Sequence, residues 1–517
     1  MSEATLRDWL DARVRERADR DALRQGEGCV TWSDLRRRVR SLECGLDRIG
    51  VAKREVVAVQ VPNVIEFVVA YLAIASRGAV MQTLHMPYRA AELESLLAHS
   101  GAVAAIVLAQ AKEYEAAKTV LGLRPKLPAL RQVIALGNPP DGAIAFDSLA
   151  AEGEPRTVDL SGADPFLLLY TSGTTSAPKG VPHAYDGFLG NSRRSAAELG
   201  VRPDDVLLSA APFTHLYGLF TLNMALATGA TTLLLPAFAP ADLASLIHAG
   251  RPTLAFTAPA HIAACLAGKL FDGKDLSSLR YVQISGSAVP AALAREFEPL
   301  LARGKVMQLW GMTELQAGAF TRFSDSEPVR VETTGRPSPG TELRVVDDSG
   351  APAAQGTEGE LEIRGPSVFT GYLNNPQATQ AAFTADGWFR TGDLATIDAA
   401  GNTRLTGRTK DLINRGGVKF NPLDVETLLL KHPAIEQAAI VPMHDPVLGE
   451  RACLFVTLKS GHVLTLSAVA EWLAAQQVSK LKWPERLEIV EAMPLTPTRK
   501  VVKGELAKRL PRQEQSK

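Results

Sequence analysis

Between Val56 and Leu108 the chain alternates two textures: a strand-like run from Val56 to Val61, an apolar helix from Glu66 to Ser76, a strand from Val80 to Leu84, an amphipathic helix from Ala90 to Ala98, and a strand from Val103 to Leu108. This βαβαβ order predicts a parallel sheet covered by helices. The alternation resumes with strands starting near Thr231, Leu254, Tyr281 and Val306. From about Thr341 the texture changes. Glu342–Val346 and Glu360–Arg364 alternate apolar with polar residues between Gly-rich turns, as antiparallel strands with one wet face do. Beyond Lys410 a smaller α+β unit follows, with strands near Ala438–Val441 and Cys453–Leu458 and helices over Ser467–Gln476 and Lys503–Arg509. The expected fold is α/β: a large domain of helix-covered parallel sheets with a small antiparallel region over residues 1–409, then a small α+β domain over 410–517.

At 517 residues the chain is long for one hydrophobic core, which fits two or more domains. Its 56 basic and 56 acidic residues cancel, so it lacks the electrostatic footprint of a nucleic-acid binder, and a charged ligand must be met by local groups. Cys29, Cys44, Cys265 and Cys453 form no C-x-x-C pair. They predict buried, reduced thiols in a cytoplasmic protein, with neither a zinc site nor a disulfide framework. No basic-then-apolar secretory pattern opens the chain, and apolar stretches such as Phe67–Ala75 are too short to span a bilayer. A homo-oligomer is compatible with all of this.

Residues 170–180 read Tyr-Thr-Ser-Gly-Thr-Thr-Ser-Ala-Pro-Lys-Gly and follow the apolar run Phe166–Tyr170. Gly173 and Gly180 let the backbone approach a polyanion, Thr171, Ser172, Thr174 and Thr175 offer hydroxyl donors, and Lys179 brings a positive charge. It is a phosphate grip but not a Walker loop, because the lysine precedes Gly180 and Pro178 stands beside it. A polar surface turn has similar composition. Four further motifs in order decide against that: Trp310-Gly311-Met312-Thr313-Glu314, Gly387-Trp388-Phe389-Arg390-Thr391-Gly392-Asp393, Gly407-Arg408-Thr409-Lys410-Asp411, and Pro494-Leu495-Thr496-Pro497-Thr498-Arg499-Lys500.

With these five motifs the chain resembles the adenylate-forming superfamily of acyl-CoA synthetases, peptide-synthetase adenylation domains and firefly-type luciferases, over nearly its whole length. The resemblance implies a carboxylic acid joined to the α-phosphate of ATP with release of pyrophosphate, then transfer of the acyl group to a thiol. It implies that Thr171–Gly180 hold the β- and γ-phosphates, that Thr313 donates to the α-phosphate, and that Glu314 holds Mg²⁺, which suits oxygen ligands. Trp310 and Gly311 would lie against adenine, with Ser285, Gly286, Ser287 and Ala288 at its other side, although a tryptophan is as readily core. Asp393 and Arg408 would bind the ribose hydroxyls, an Asx-turn being the plain alternative for Asp393.

By the same resemblance Lys500 reaches from a mobile C-terminal domain to bridge the acid's carboxylate and the α-phosphate. Lys410 matches the hinge, and Gly416, Gly417 and Lys419 face the tunnel for the pantetheine arm of coenzyme A, where a Gly-Gly turn between strands is the alternative. His215 stands where acyl-CoA synthetases carry a His or aromatic beside the acyl carboxylate, and a His among apolar residues also suits a structural role. Two positions depart from the family pattern: Arg499 and Ser176 stand where glycine is usual. No aspartate lies between Pro212 and Gly218 to bind an amino acid's ammonium, and no carrier domain follows Lys500. The pocket wall, drawn from Gly218, Ser285–Ser287, Trp310–Met312 and Leu315–Gly318, carries no charge. These features favour a free-standing ATP-dependent ligase of an apolar aliphatic, alicyclic or aromatic acid with CoA. Loading of an acyl-carrier protein in trans and a non-catalytic acyl or nucleotide sensor are the alternatives.

Overall fold

The computed structural model describes residues 5–171, 178–415, 418–445, 447–496 and 500–510. The chain divides into two compact units, Met1–Glu342 with Ile363–Phe389, and Leu343–Glu362 with Arg390–Lys517.

Two sheets build the first unit. One runs in the order Ile144–Ala145, Gln132–Leu136, Ala104–Leu108, Val56–Gln60, Val80–Thr83, Pro165–Tyr170, Gly180–Ala184. Every pairing in it is parallel except the last, where Pro165–Tyr170 and Gly180–Ala184 form a hairpin. The other sheet centres on parallel strands Thr231–Leu233, Val206–Ser209, Leu254–Thr257, Tyr281–Ile284 and Lys305–Met312, and Lys305–Met312 turns back antiparallel into Gln316–Phe320.

The helices Ile65–Ser76 and Leu216–Thr228 explain how the two sheets share a core. Every residue from Phe67 to Ser76 and from Leu216 to Leu226 is buried, so neither helix keeps a polar face. Their side chains join one cluster with Val57, Val59 and Phe166 of the first sheet and Leu23, Val30 and Leu234 of the second. Burial of each Leu or Phe there is worth about 1.5–3 kcal/mol. One pair of the polar groups this traps is bonded helix to helix: Tyr71 Oη donates to Asn223 Oδ1 at 3.1 Å.

Largely in the second unit, a sheet orders Glu342–Val346, Gly359–Arg364, Phe389–Ile397 and Thr403–Arg408, the last two of which pair antiparallel. A further sheet pairs Ile435–Asp445 with Gly449–Leu458, which Arg486–Ile489 joins in parallel and Ile413–Arg415 in antiparallel. The βαβαβ and α+β stretches form the elements that their patterns predict, and the Glu342–Val346 and Glu360–Arg364 strands form too, but Glu362, placed on the expected wet face, is buried and bonded by Arg344. A second expectation fails: Cys29 is exposed and Cys44 only partly covered, while Cys265 and Cys453 are buried. Cys29 lies on Gly28–Thr31, the outermost strand of its sheet. Among the described residues no helix is long and apolar enough to cross a membrane.

Candidate active site

The phosphate-grip sequence is the loop of the hairpin between Pro165–Tyr170 and Gly180–Ala184. Tyr170 pairs with Gly180, and Thr171 N donates to Lys179 O at 3.2 Å, which closes the base of the loop. Ser172, Gly173, Thr174, Thr175 and Ser176 lie outside the described residues. From the closed base Lys179 directs its ammonium over the ring of Tyr372, with Nζ 5.1 Å from the centroid. Tyr372 Oη donates to Glu314 Oε1 at 2.9 Å. Leu373 N and Phe369 N donate to the backbone oxygens of Gly180 and Glu314, each at 2.8 Å, so one short segment clamps both sides of the cluster.

Glu314 is 5% exposed. Burial, reinforced by this carboxylate, holds the Tyr372 phenol far above its ordinary range, so it stays a donor. Thr313, next in line, is fixed from behind: its carbonyl accepts from His183 Nε2 at 2.8 Å. Burial lowers the His183 pKa to about 4, so the ring is neutral with its proton on Nε2, the only tautomer a carbonyl can accept from. The sequence pointed to Lys179, Thr313 and Glu314. It missed Tyr372 and His183, whose partners lie 58 and 130 residues away.

Trp310 and Gly311 end the strand Lys305–Met312, one strand over from Tyr281–Ile284, whose continuation is Ser285-Gly286-Ser287-Ala288. Both lie at the carboxyl ends of parallel strands, where open α/β sheets bind ligands. Ser285 is buried, with its N–H bonded to Thr257 O at 3.0 Å, and Ser287 and Ala288 are exposed. Trp310 is buried and lies flat enough on Gly318 that a Cβ there would sit 2.3 Å from its ring carbon Cζ3. A Cβ on Gly311 would sit 1.9 Å from Gln316 O. Only glycine permits either approach.

His215 caps the helix Leu216–Thr228, and its Nδ1 accepts from Tyr217 N at 3.3 Å. That bond assigns Nδ1 as acceptor. The structural role expected of a histidine here is therefore real, and the bond places the neutral ring's proton on Nε2. His85, which the sequence did not single out, lies beside it with ring centroids 6.2 Å apart. Its Nδ1 is 3.0 Å from Thr214 Oγ1, and burial lowers its pKa to about 4.

In the second unit Asp393 and Arg408 face each other across paired strands, and Arg408 Nε donates to Asp393 Oδ1 at 2.8 Å. Asp393 is in the strand Phe389–Ile397, so the Asx-turn alternative is not the one adopted. Lys410 is exposed in the single 3₁₀ turn Thr409–Asp411. Gly416, Gly417 and Arg499, and the side chain of Lys419, lie outside the described residues. Lys500 closes a separate hairpin: Thr496 N donates to Lys500 O at 2.8 Å and Lys500 N to Thr496 Oγ1 at 3.0 Å. Lys503, just beyond, is anchored to Glu426 at 2.7 Å. The Lys500 side chain is exposed.

At the foot of the hairpin, Lys179, Tyr372 and the buried Glu314 thus form one cluster. Residues 10–373 match the AMP-binding enzyme family and residues 424–500 its C-terminal domain. The chain belongs to the AMP-binding enzyme family, the adenylate-forming ligases that activate carboxylic acids. It is 32% identical over 514 residues to a medium-chain fatty-acid–CoA ligase of Escherichia coli strain K12, covering 98% of this chain and 90% of that protein. It is also 32% identical over 511 residues to a feruloyl-CoA synthase of Amycolatopsis, covering 98% and 100%. To 2,3-dihydroxybenzoate-AMP ligase of Bacillus subtilis strain 168 it is 30% identical over 505 residues, covering 97% and 93%. The crystal structure of an anthranilate CoA ligase in complex with anthranoyl-AMP superposes with a TM-score of 0.88 at 26% identity, covering 98% of this chain and 97% of that one.

Proposed function

We propose that the protein is an acid–CoA ligase: it converts a carboxylic acid and ATP to an acyl-adenylate and pyrophosphate, then transfers the acyl group to the thiol of coenzyme A, releasing AMP. The observation that carries the reading is the Lys179–Tyr372–Glu314 cluster at the foot of the phosphate loop. Ligases of fatty and aromatic acids with CoA among the relatives support it.

A carboxylate attacking a nucleotide meets several negative charges, so the site must neutralise and orient before anything reacts. Lys179 and the hydroxyl-rich loop take the β- and γ-phosphates, which become the leaving group. Thr313 donates to the α-phosphate from a backbone that neutral His183 holds still. Glu314 is one buried carboxylate, and among the described residues no group of three acidic, His or Cys side chains converges. That donor set suits Mg²⁺ arriving with a nucleotide, since this ion takes one or two carboxylates and completes its shell with phosphates and water. Bound there, Mg²⁺ would supply charge neutralisation between phosphates.

Trp310 and Gly311 present the face for adenine, and Asp393 accepts from a ribose hydroxyl to which Arg408 donates. His215 orients the acid's carboxylate through its Nε2. Lys500 bridges that carboxylate and the α-phosphate as charge gathers on the pentacoordinate centre. For the second half-reaction residues 410–517 turn about Lys410, bringing Gly416, Gly417 and Lys419 to the pantetheine path. The single 3₁₀ turn between two sheets at Lys410 supports a hinge there. The cytoplasm, where ATP and CoA are found, is the proposed location. The substrate is an apolar aliphatic, alicyclic or aromatic acid, because the expected wall offers no charge.

Half-reactions test this. Lys500→Ala should lower acid-dependent pyrophosphate release by about 100-fold or more while sparing thioester formation from supplied acyl-adenylate; equal loss of both removes Lys500 from its role. Product formation with an acyl-carrier protein but not with CoA would replace the acceptor.

A further inference from the structure

Gln283, on the strand Tyr281–Ile284, is wholly buried, and neither its Oε1 nor its Nε2 has a hydrogen-bond partner. Buried amides rarely stay so. The equally buried Gln82 shows the ordinary outcome in this unit: its Nε2 donates to Leu96 O at 3.2 Å and its Oε1 accepts from Ser100 Oγ at 2.7 Å. Gln308, one strand over from Gln283, donates to Val331 O at 2.6 Å. Gln283 instead stands in register between Phe256 and Met307, apolar side chains that can satisfy neither end.

Its position gives that unmet capacity a use. Tyr217 Oη donates to Gln283 O at 2.8 Å, and Tyr217 belongs to the helix that His215 caps. Ser285 follows Gln283 by two residues on the same strand path, hence on the same face and about 7 Å along it. Gln283 is thus one strand repeat deeper than the residue assigned to the nucleotide end of the pocket, and beside the helix assigned to the carboxylate end.

We propose that Gln283 recognises a hydroxyl group carried by the acid, which makes the substrate a hydroxylated aromatic or alicyclic acid. The inference rests on the acid-activating reading above. A hydroxyl both donates and accepts, and so meets Oε1 and Nε2 together. A second carboxylate does not suit the place, because Phe256 and Met307 supply no cation to pair with it.

The test is pyrophosphate release with CoA present, using two matched pairs, 4-hydroxybenzoate with benzoate and 4-hydroxycyclohexanecarboxylate with cyclohexanecarboxylate, and octanoate as an unrelated acid. The wild-type enzyme should favour the hydroxylated member of at least one pair by at least about 100-fold in kcat/KM, since sites built to bond a hydroxyl reject its absence by up to about 10⁴–10⁵-fold. Gln283→Met, which keeps volume and removes both polar ends, should collapse that ratio to within about tenfold through loss on the hydroxylated acid, while the unsubstituted acid is turned over as before. Wild-type preference for the unsubstituted member of both pairs, or an unchanged ratio in Gln283→Met, overturns the proposal. Turnover of octanoate alone overturns it and leaves the ligase reading standing; no pyrophosphate with any acid removes both. Should Gln283→Met be inactive throughout, the wild-type ratio decides.

Discussion

Glu314 and Lys500 are the two charged groups on which the proposed chemistry depends most, and the fold treats them in opposite ways. Glu314 is buried, its side chain bonded by Tyr372, its carbonyl by Phe369, and its neighbour Thr313 pinned by a buried neutral histidine. Lys500 is exposed, and its backbone is held by two hydrogen bonds to Thr496. A carboxylate that waits for a metal and a polyphosphate gains from being oriented in advance, because its reorganisation cost is met on folding. An ammonium needed in only one half-reaction gains from an exposed place, since a buried lysine would pay desolvation and tend to lose its charge.

The contrast predicts different kinds of damage. Lys500→Ala should give the largest effect and the most selective one, confined to adenylation as described above and with unfolding temperature unchanged, because an exposed side chain carries little stability. Tyr372→Phe should be smaller and broader. It removes the donor to a buried carboxylate, a loss of about 1–3 kcal/mol, so pyrophosphate release should fall about tenfold with a raised Mg²⁺ requirement, and stability should drop with it. If Tyr372→Phe left the Mg²⁺ dependence untouched, Glu314 would not be the oriented ligand and the contrast would fail.

What the sequence could reveal follows from the same division. The βαβαβ stretch and the five motifs are local: periodicity and contiguous residue types expose them. Tyr372 and His183 act on residues 58 and 130 positions away, and nothing in Gly371-Tyr372-Leu373 or Pro182-His183 marks a partner. The hairpin Asp21–Gln25 with Gly28–Thr31 was unread for the same reason, since it is ordered by pairing with Thr231–Leu233, some two hundred residues later. His215 was legible as a site residue, but its capping bond required knowing where the helix begins.

A pH effect bears on stability rather than on catalysis. Burial lowers both His183 and His85 to about 4 from an ordinary 6.5. Between those values the unfolded chain binds protons that the folded one does not. Stability is therefore complete above about pH 6.5, falls as the pH drops toward 4, and levels off below, each histidine contributing about 3 kcal/mol in all. Denaturant unfolding of the wild type across this range should show the decline. His183→Gln, which retains a donor for Thr313 O and cannot titrate, should remove about half of the decline. An unaltered slope would mean that His183 is protonated in the folded state and that Thr313 is held some other way.

The smallest effect separates the two duties of His215. Its Nδ1 caps the helix Leu216–Thr228, and its Nε2 proton is assigned to the acid's carboxylate. Asparagine can reproduce the first duty, because its side-chain oxygen is a good cap, but its reach is too short for the second. His215→Asn should leave stability within a few tenths of a kcal/mol, whereas His215→Ala should cost about 1 kcal/mol. If both variants raise the KM for the acid by similar factors while only alanine destabilises, the ring works on the substrate. If asparagine restores activity along with stability, His215 acts only by holding the helix that carries Tyr217 and Gly218, and orientation of the carboxylate passes to the rest of the site.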